Sequence, residues 1–477
     1  MIREFPYFIG ALSVVLFSFA SNANGVSPYL PLKLDNLVEL EIERLVSIAQ
    51  LPSLKKPYHI VTVVNYLQKV KHSHPKLYNR LNDYIKRYKK QSSLTHFSAE
   101  VGHSFSKNKT IPNGRGFEFD DVFQGSVSSF YQFNKYVIFN AGGSFSSNNG
   151  VVPHNSYLSF GTDYFQFDVG YREHWLSPMQ ESAALLSTNA EPIASITLSN
   201  VKPITDFNIN YEMSFGLLSK MDGIHFDNRL SSGKPGLLTM HLSVQPFDWW
   251  TIGANRVFQF GGGDRSIGLG DIWNAFIDPV SSDNCGGEST LQDCNEEVGN
   301  QIASITTKFD FSIYNFPISI FYEYGGEDAK NYKKSLGNIG ITYGVFLPYL
   351  SNNTSLYVEH SIFHDKWYVH HLYDEGYRNK NVIMGHWWAN EKSLNDDSGV
   401  SLSTVRFNWD INSTNHLEIL IKTGKLDTLN QWQNNRTKEM ELNLKHAYKS
   451  GFIGLSLNVG KDTFGDSFSR ASVSYNW

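Results

Sequence analysis

Between Phe207 and Leu217 every odd position is apolar (Phe207, Ile209, Tyr211, Met213, Phe215, Leu217), and every even one is polar or small (Asn208, Asn210, Glu212, Ser214, Gly216). A period of two over this length predicts a β-strand with one apolar and one polar face, long enough to cross a bilayer on a tilt. The rhythm returns in Phe165, Phe167, Val169 and Tyr171 against Gln166, Asp168 and Gly170. It recurs in Met440, Leu442 and Leu444 against Glu439, Glu441, Asn443 and Lys445, and in Ala471, Val473, Tyr475 and Trp477 at the end of the chain. Carboxylates and lysines on the second face require water on that side, so the pattern predicts a barrel with a polar lumen instead of a sandwich with a dry core.

Connection lengths test this independently. Short turns are predicted at Asn134-Lys135, Gly161-Thr162-Asp163, Pro246-Phe247-Asp248, Tyr314 to Pro317, Asn412 to Asn415 and Lys449 to Gly451. Long polar segments fall near 172–192, 219–236, 260–300, 325–336, 364–399 and 425–436. Outer-membrane barrels have short periplasmic turns and long external loops, and with a first strand near 97–107 rising from the periplasm, every short turn lands on the periplasmic side. Val382-Ile383-Met384 is kept inside one external excursion, because counting it as a crossing would put the Asn412 turn outside. The resulting fold class is all-β: a transmembrane antiparallel β-barrel of about eighteen strands over residues 97–477, preceded by a small N-terminal periplasmic α-helical bundle.

The bundle is expected over residues 24–96. Leu34, Leu37, Val38, Ile42, Leu45, Val46 and Ala49 recur at helical spacing, as do Ile60, Val63, Val64 and Leu67 after Pro57, and Leu77, Leu81, Tyr84, Ile85 and Tyr88 after Pro75. Prolines at the starts suit the first turn of a helix, where no amide hydrogen bond is lost. Ahead of it, the apolar run Tyr7 to Ala20 and the small-x-small site Ser21-Asn22-Ala23 predict a signal peptide over 1–23. At about fourteen residues the run is short for a bilayer anchor. The expected location is the outer membrane of a Gram-negative bacterium, with external loops and a periplasmic bundle.

Composition agrees with the pattern. Thirty-three Phe, 25 Tyr, 10 Trp and 37 Gly accompany a mean hydropathy of −0.31, which suits strands that face lipid on one side and water on the other. The net charge is −5, but residues 24–96 hold twelve Lys or Arg against five Asp or Glu. That basic piece either meets something acidic, such as a polymer or the phospholipid headgroups of the inner leaflet, or is a solvated helical surface.

Candidate chemistry is sparse. Cys285 and Cys294 sit in the longest predicted external loop, and in an oxidising compartment such a pair forms a disulfide worth about 2 to 3 kcal/mol. No further soft ligand accompanies them, so they do not predict a metal site. The acidic residues Asp283, Glu288, Asp293, Glu296 and Glu297 lack the fixed spacing of a calcium loop and are read as a solvated loop. His154 and Ser156 are two apart, hence on one strand face, but the sequence offers neither an orienting third group nor an oxyanion donor. Gly102-His103-Ser104-Phe105-Ser106 misses the nucleophile-elbow pattern at its last residue. Gly261-Gly262-Gly263-Asp264 is glycine-rich, with no helix expected after it to present amides to a phosphate. No enzyme and no cofactor are expected.

The aromatic loop 364–399 is more informative. Trp367, Tyr368, Tyr373, Trp387 and Trp388, with Arg378, are candidate glycan-binding residues, since rings stack on the apolar faces of sugars while polar neighbours bond hydroxyls. The competing readings are an interfacial girdle and a loop core folded into the barrel mouth.

Several segments resemble the capsule-assembly Wzi family. They are Pro28-Tyr29-Leu30-Pro31-Leu32, Trp175-Leu176-Ser177-Pro178, Leu185 to Pro192, Ile196-Thr197-Leu198-Ser199, Gln259-Phe260-Gly261-Gly262, Tyr324-Gly325-Gly326-Glu327-Asp328, Gly376-Tyr377-Arg378 and Val382 to His386. The chain departs from the pattern at Leu176-Ser177-Pro178, where Trp-Gly-Pro is expected. The resemblance implies a lectin-like outer-membrane barrel that binds or anchors capsular or exported polysaccharide, with external loops obstructing the pore. The expected partners are capsular polysaccharide or exopolysaccharide, outer-membrane lipids and the barrel-insertion machinery, with no nucleic acid, and the chain is expected to be a monomer. A diffusion or oligosaccharide channel is the alternative, and a lipid- or glycan-hydrolysing barrel the third reading.

Overall fold

The computed structural model describes residues 25–477 except 33–34, 106–120, 278–296, 315, 328, 331–334, 392–398, 428–435 and 463–464. The expected signal peptide and both cysteines, Cys285 and Cys294, lie outside the described residues. Eighteen antiparallel strands form a closed barrel. The first, Ser92–Ser104, pairs with the second, Phe123–Asn134, on one side and with the last, Ser467–Asn476, on the other, setting Val101 opposite Val473. A short extra strand, Gly150–Val152, adds to the rim beside Val137–Ser146.

Alternation decides which side each residue faces. Met440, Leu444, Leu455, Leu457 and Val473 are between 37% and 53% exposed on the lipid side, whereas Glu439, Asn443 and Lys445 are at most 8% exposed inside. At the periplasmic turn around Asp248, Phe247, Trp249, Trp250 and Phe309 stack with centroids 5.5 to 6.3 Å apart, an interfacial aromatic girdle.

The predicted crossings hold, with local differences. The strand expected from Phe207 starts at Asn210, because Thr205 (φ +63°) and Asn208 (φ +48°) turn the backbone and leave Phe207 outside. The first strand starts at Ser92, so residues 92–96, grouped by pattern with the bundle, belong to the wall. Asn352-Asn353 is a further periplasmic turn, not among those expected from the pattern, joining the strands Ile339–Ser351 and Thr354–Phe363. Arg378–Asn379 and Val382–Ile383 form a small hairpin around Lys380 and Asn381, both at positive φ, so this stretch is no crossing, as the turn parity requires. A helix, Leu269–Ile277, does follow the glycine run at 261–263, contrary to expectation, with the Asp271 carboxylate accepting from the Gly268 amide.

Three helices cap the periplasmic end: α1 (Asn36–Ile48), α2 (Ile60–Lys69) and α3 (Pro75–Ile85). Asp35 caps α1 by accepting from Leu37 N at 2.9 Å, and Pro75 opens α3. Leu45, Val63, Leu67, Leu77 and Leu81 make their shared core. α1 lies against the strands Phe316–Gly326 and Ile339–Ser351. Ser47 meets Ser319 at 2.5 Å, Arg44 donates to Pro348 O at 3.1 Å, and Lys445 reaches Asp35 at 2.6 Å. Much of the bundle's basic excess is thereby used: Arg44 and Arg80 pair with Glu41 and Asp410, Lys55 with Glu212 and Lys56 with Glu43.

Candidate functional site

Polar side chains on the inner wall must find partners wherever water is excluded. On the strands Gln166–Tyr171 and Asn210–Leu217 those side chains are Asp168 and Glu212, and their partners come from segments folded into the lumen. Tyr29 donates to Asp168 at 2.9 Å, Arg172 bridges Asp168 and Glu212, Lys55 reaches Glu212 at 2.6 Å, and His174 lies 2.7 Å from Glu212. Burial draws the Lys55 ammonium below its ordinary value against the opposing pull of Glu212, and burial likewise lowers His174, keeping it neutral. This network ties the amino-terminal segment and the bundle linker to the wall.

The segment 172–194 therefore runs inward instead of standing outside as a polar loop. Trp175 exchanges backbone hydrogen bonds with Lys56 of the bundle linker, and Ser177 donates to Glu323 of the opposite wall at 2.7 Å. Its return leg is sewn to the 364–391 loop: Ser187 N donates to Met384 O, and Asn189 donates to Ile383 O at 2.7 Å. Leu176, Leu185 and Leu186 join Trp367, Tyr368, Tyr377, Trp388 and wall residues Val257, Ile302 and Leu402 in one apolar cluster. Two loops thus make a packed plug.

Most candidate glycan-binding rings lie within that plug. Trp367, Tyr368, Tyr373 and Trp388 are at most 2% exposed; Tyr368 donates to Ala184 O and Tyr373 to Gly261 O. Arg378 is half-buried and donates to Asn381 O at 2.8 Å. Trp387, 4% exposed, belongs to the same apolar cluster, but its ring also has Lys422 Nζ 4.5 Å from its centroid and lines a polar cavity of about 250 Å³ inside the barrel. Gln124, Arg406, Glu439, Asn458 and Arg470 line the same chamber, and Asp35 and Asn36 of the α1 end close its floor. Of these wall residues only Glu439 stood out in the alternation as inward-facing; the signal of the others was present as charged and amide side chains at inner positions of neighbouring strands.

His154 and Ser156 are not joined. Asn155 takes φ +56° and breaks the strand parity between them; His154 Nδ1 lies 3.2 Å from Glu173, while Ser156 Oγ donates to Gly142 O of the adjoining strand. Gly102 to Ser104 is the upper end of a strand, not an elbow.

At the outer rim, Glu297 precedes the strand Gly299–Ile313 and faces two histidines of the plug, with His371 Nε2 at 2.9 Å and His370 Nε2 at 3.3 Å. Burial alone raises the Glu297 carboxyl, but the two imidazoles hold it at about 2.

A closed antiparallel barrel with an apolar belt, an aromatic girdle, a bundle at its periplasmic end and inward-folded loops defines an occluded outer-membrane β-barrel protein. The profile of the family described as capsule assembly protein Wzi matches residues 85–467, and the chain belongs to that family. Among solved structures it is similar to one from Escherichia coli described as Wzi, an outer membrane protein involved in group 1 capsule assembly and a carbohydrate-binding β-barrel. That likeness has a TM-score of 0.69 at 14% identity, over 95% of this chain and 99% of the other. A 55.8 kDa protein of the cps region of Klebsiella pneumoniae is 25% identical over 228 residues, 47% of this chain and 40% of that relative's length.

Proposed function

We propose that this protein binds capsular or exported polysaccharide at the outer surface and holds it there during capsule assembly, without turning it over. The observation that carries this reading is Trp387: a ring at the edge of the packed plug, beside a cation and at the wall of a polar chamber. Carboxylate, amide and guanidinium groups around an aromatic face suit hydroxyl-rich rings. Membership of the capsule-assembly family and the likeness to a carbohydrate-binding barrel support it. In this reading Trp367, Tyr368, Tyr373 and Trp388 build the platform from inside, and Arg378 shapes its hairpin. Outer-membrane lipids and the insertion machinery complete the partners of a monomeric barrel.

The test is glycan binding by the purified, detergent-solubilised protein to the polysaccharide its own host exports. Trp387→Ala removes a stacking contact worth about 1 kcal/mol and weakens binding about fivefold. Equal binding by that variant, with an intact barrel, would remove Trp387 from the site.

A further inference from the structure

We infer that Glu297, His370 and His371 form a zinc site at the extracellular rim, locking the plug to the barrel wall. The three side chains come from two elements: Glu297 immediately precedes the strand Gly299–Ile313, whereas the histidines are adjacent in the plug loop. Their ligand atoms, one carboxylate oxygen and two imidazole nitrogens, all lie within 4.8 Å of one another. The imidazoles stack with centroids 4.6 Å apart, so both Nε2 atoms point to the same carboxylate.

The second observation is His370 itself. Its side chain is 2% exposed, and its Nε2, 3.3 Å from Glu297 Oε1, makes no hydrogen bond of acceptable geometry. A buried polar nitrogen aimed at a carboxylate without bonding it is costly unless something else satisfies it. A cation placed among the three atoms does so, and His₂-carboxylate is a donor set that zinc takes with a solvent molecule in its fourth position. His371 is 48% exposed, which leaves that position facing the outside.

The proton balance is simple. Leu372 N donates to His370 Nδ1 at 3.3 Å, so in the metal-free ring the proton sits on Nε2. Zinc replaces it there, the neutral ring carries its proton on Nδ1, and the long Leu372 contact is given up. The Arg265 guanidinium donates to the main-chain carbonyls of Glu297 and His225, fixing the segment that bears the carboxylate.

Zinc chloride titrated into the purified full-length barrel, followed by calorimetry, tests this. One zinc binds per chain, and His371→Ala and Glu297→Gln each weaken it at least tenfold; the first removes a half-exposed side chain and leaves the core intact. Folding of each variant is checked by the heat-modifiable mobility of the barrel. No binding by the natural protein would overturn the site, as would binding unchanged in both folded variants or calcium displacing zinc at equal concentration.

Discussion

Trp388 and Gly424 illustrate how tightly the plug fits the wall. A Cβ on Gly424 would come within 2.6 Å of the Trp388 ring, so the strand Asn415–Asp427 needs glycine where the indole crosses it. Trp388→Ala empties this contact and costs about 3 to 5 kcal/mol, measured as a lower urea midpoint. His386, beside this pair, is held neutral by burial, which lowers it to about 3, with Lys422 adding to the effect. A histidine depressed in this way leaves the unfolded chain to bind the proton first. Its contribution is complete above about pH 6.5 and is lost by about 1.4 kcal/mol per unit as pH falls from there toward 3. Stability measured against pH shows this slope, and His386→Gln flattens it. The aromatic residues were legible in the sequence as a cluster, and a loop core folded into the barrel mouth was one reading of them; which segment packs against them was not legible, because it is a second loop, 172–194, that looks polar.

Among the elements, the strands were the most readable, since lipid outside and water or paired charge inside impose a period of two on every crossing. Val345 and Leu457 are lipid-facing by this rule and exposed in the barrel. Replacing either by Arg costs about 2 to 4 kcal/mol if the site is near the bilayer midplane, and reversible folding into lipid vesicles measures it; a neutral outcome would contradict the assigned face. The inward path of 172–194 was hidden because its polar residues, Arg172, Glu173 and His174, look like those of a solvated loop. Their partners make them lumenal: Asp168 on the adjoining strand and Glu212 two strands along for Arg172, Glu212 for His174, and His154 and Asn155 for Glu173. Glu212→Ala leaves Arg172 and Lys55 short of their shared partner and destabilises the protein by about 3 to 5 kcal/mol, seen as a lower urea midpoint.

For the molecule as a whole, the bundle and the plug separate this barrel from a diffusion channel of similar strand number. α1 is hydrogen-bonded to the wall at Ser319, Pro348 and Glu418, and the plug fills the lumen above it on one side. In planar bilayers the protein therefore gives no steady large openings, and excision of 365–390 raises the conductance.

Retention of polysaccharide on the cell is the role proposed for this occluded barrel. Deleting its gene and measuring cell-bound against released polymer tests that most directly. Polymer is expected to shift into the medium, with total synthesis unchanged and retention restored by the natural chain. An unchanged distribution between cells and medium would contradict it.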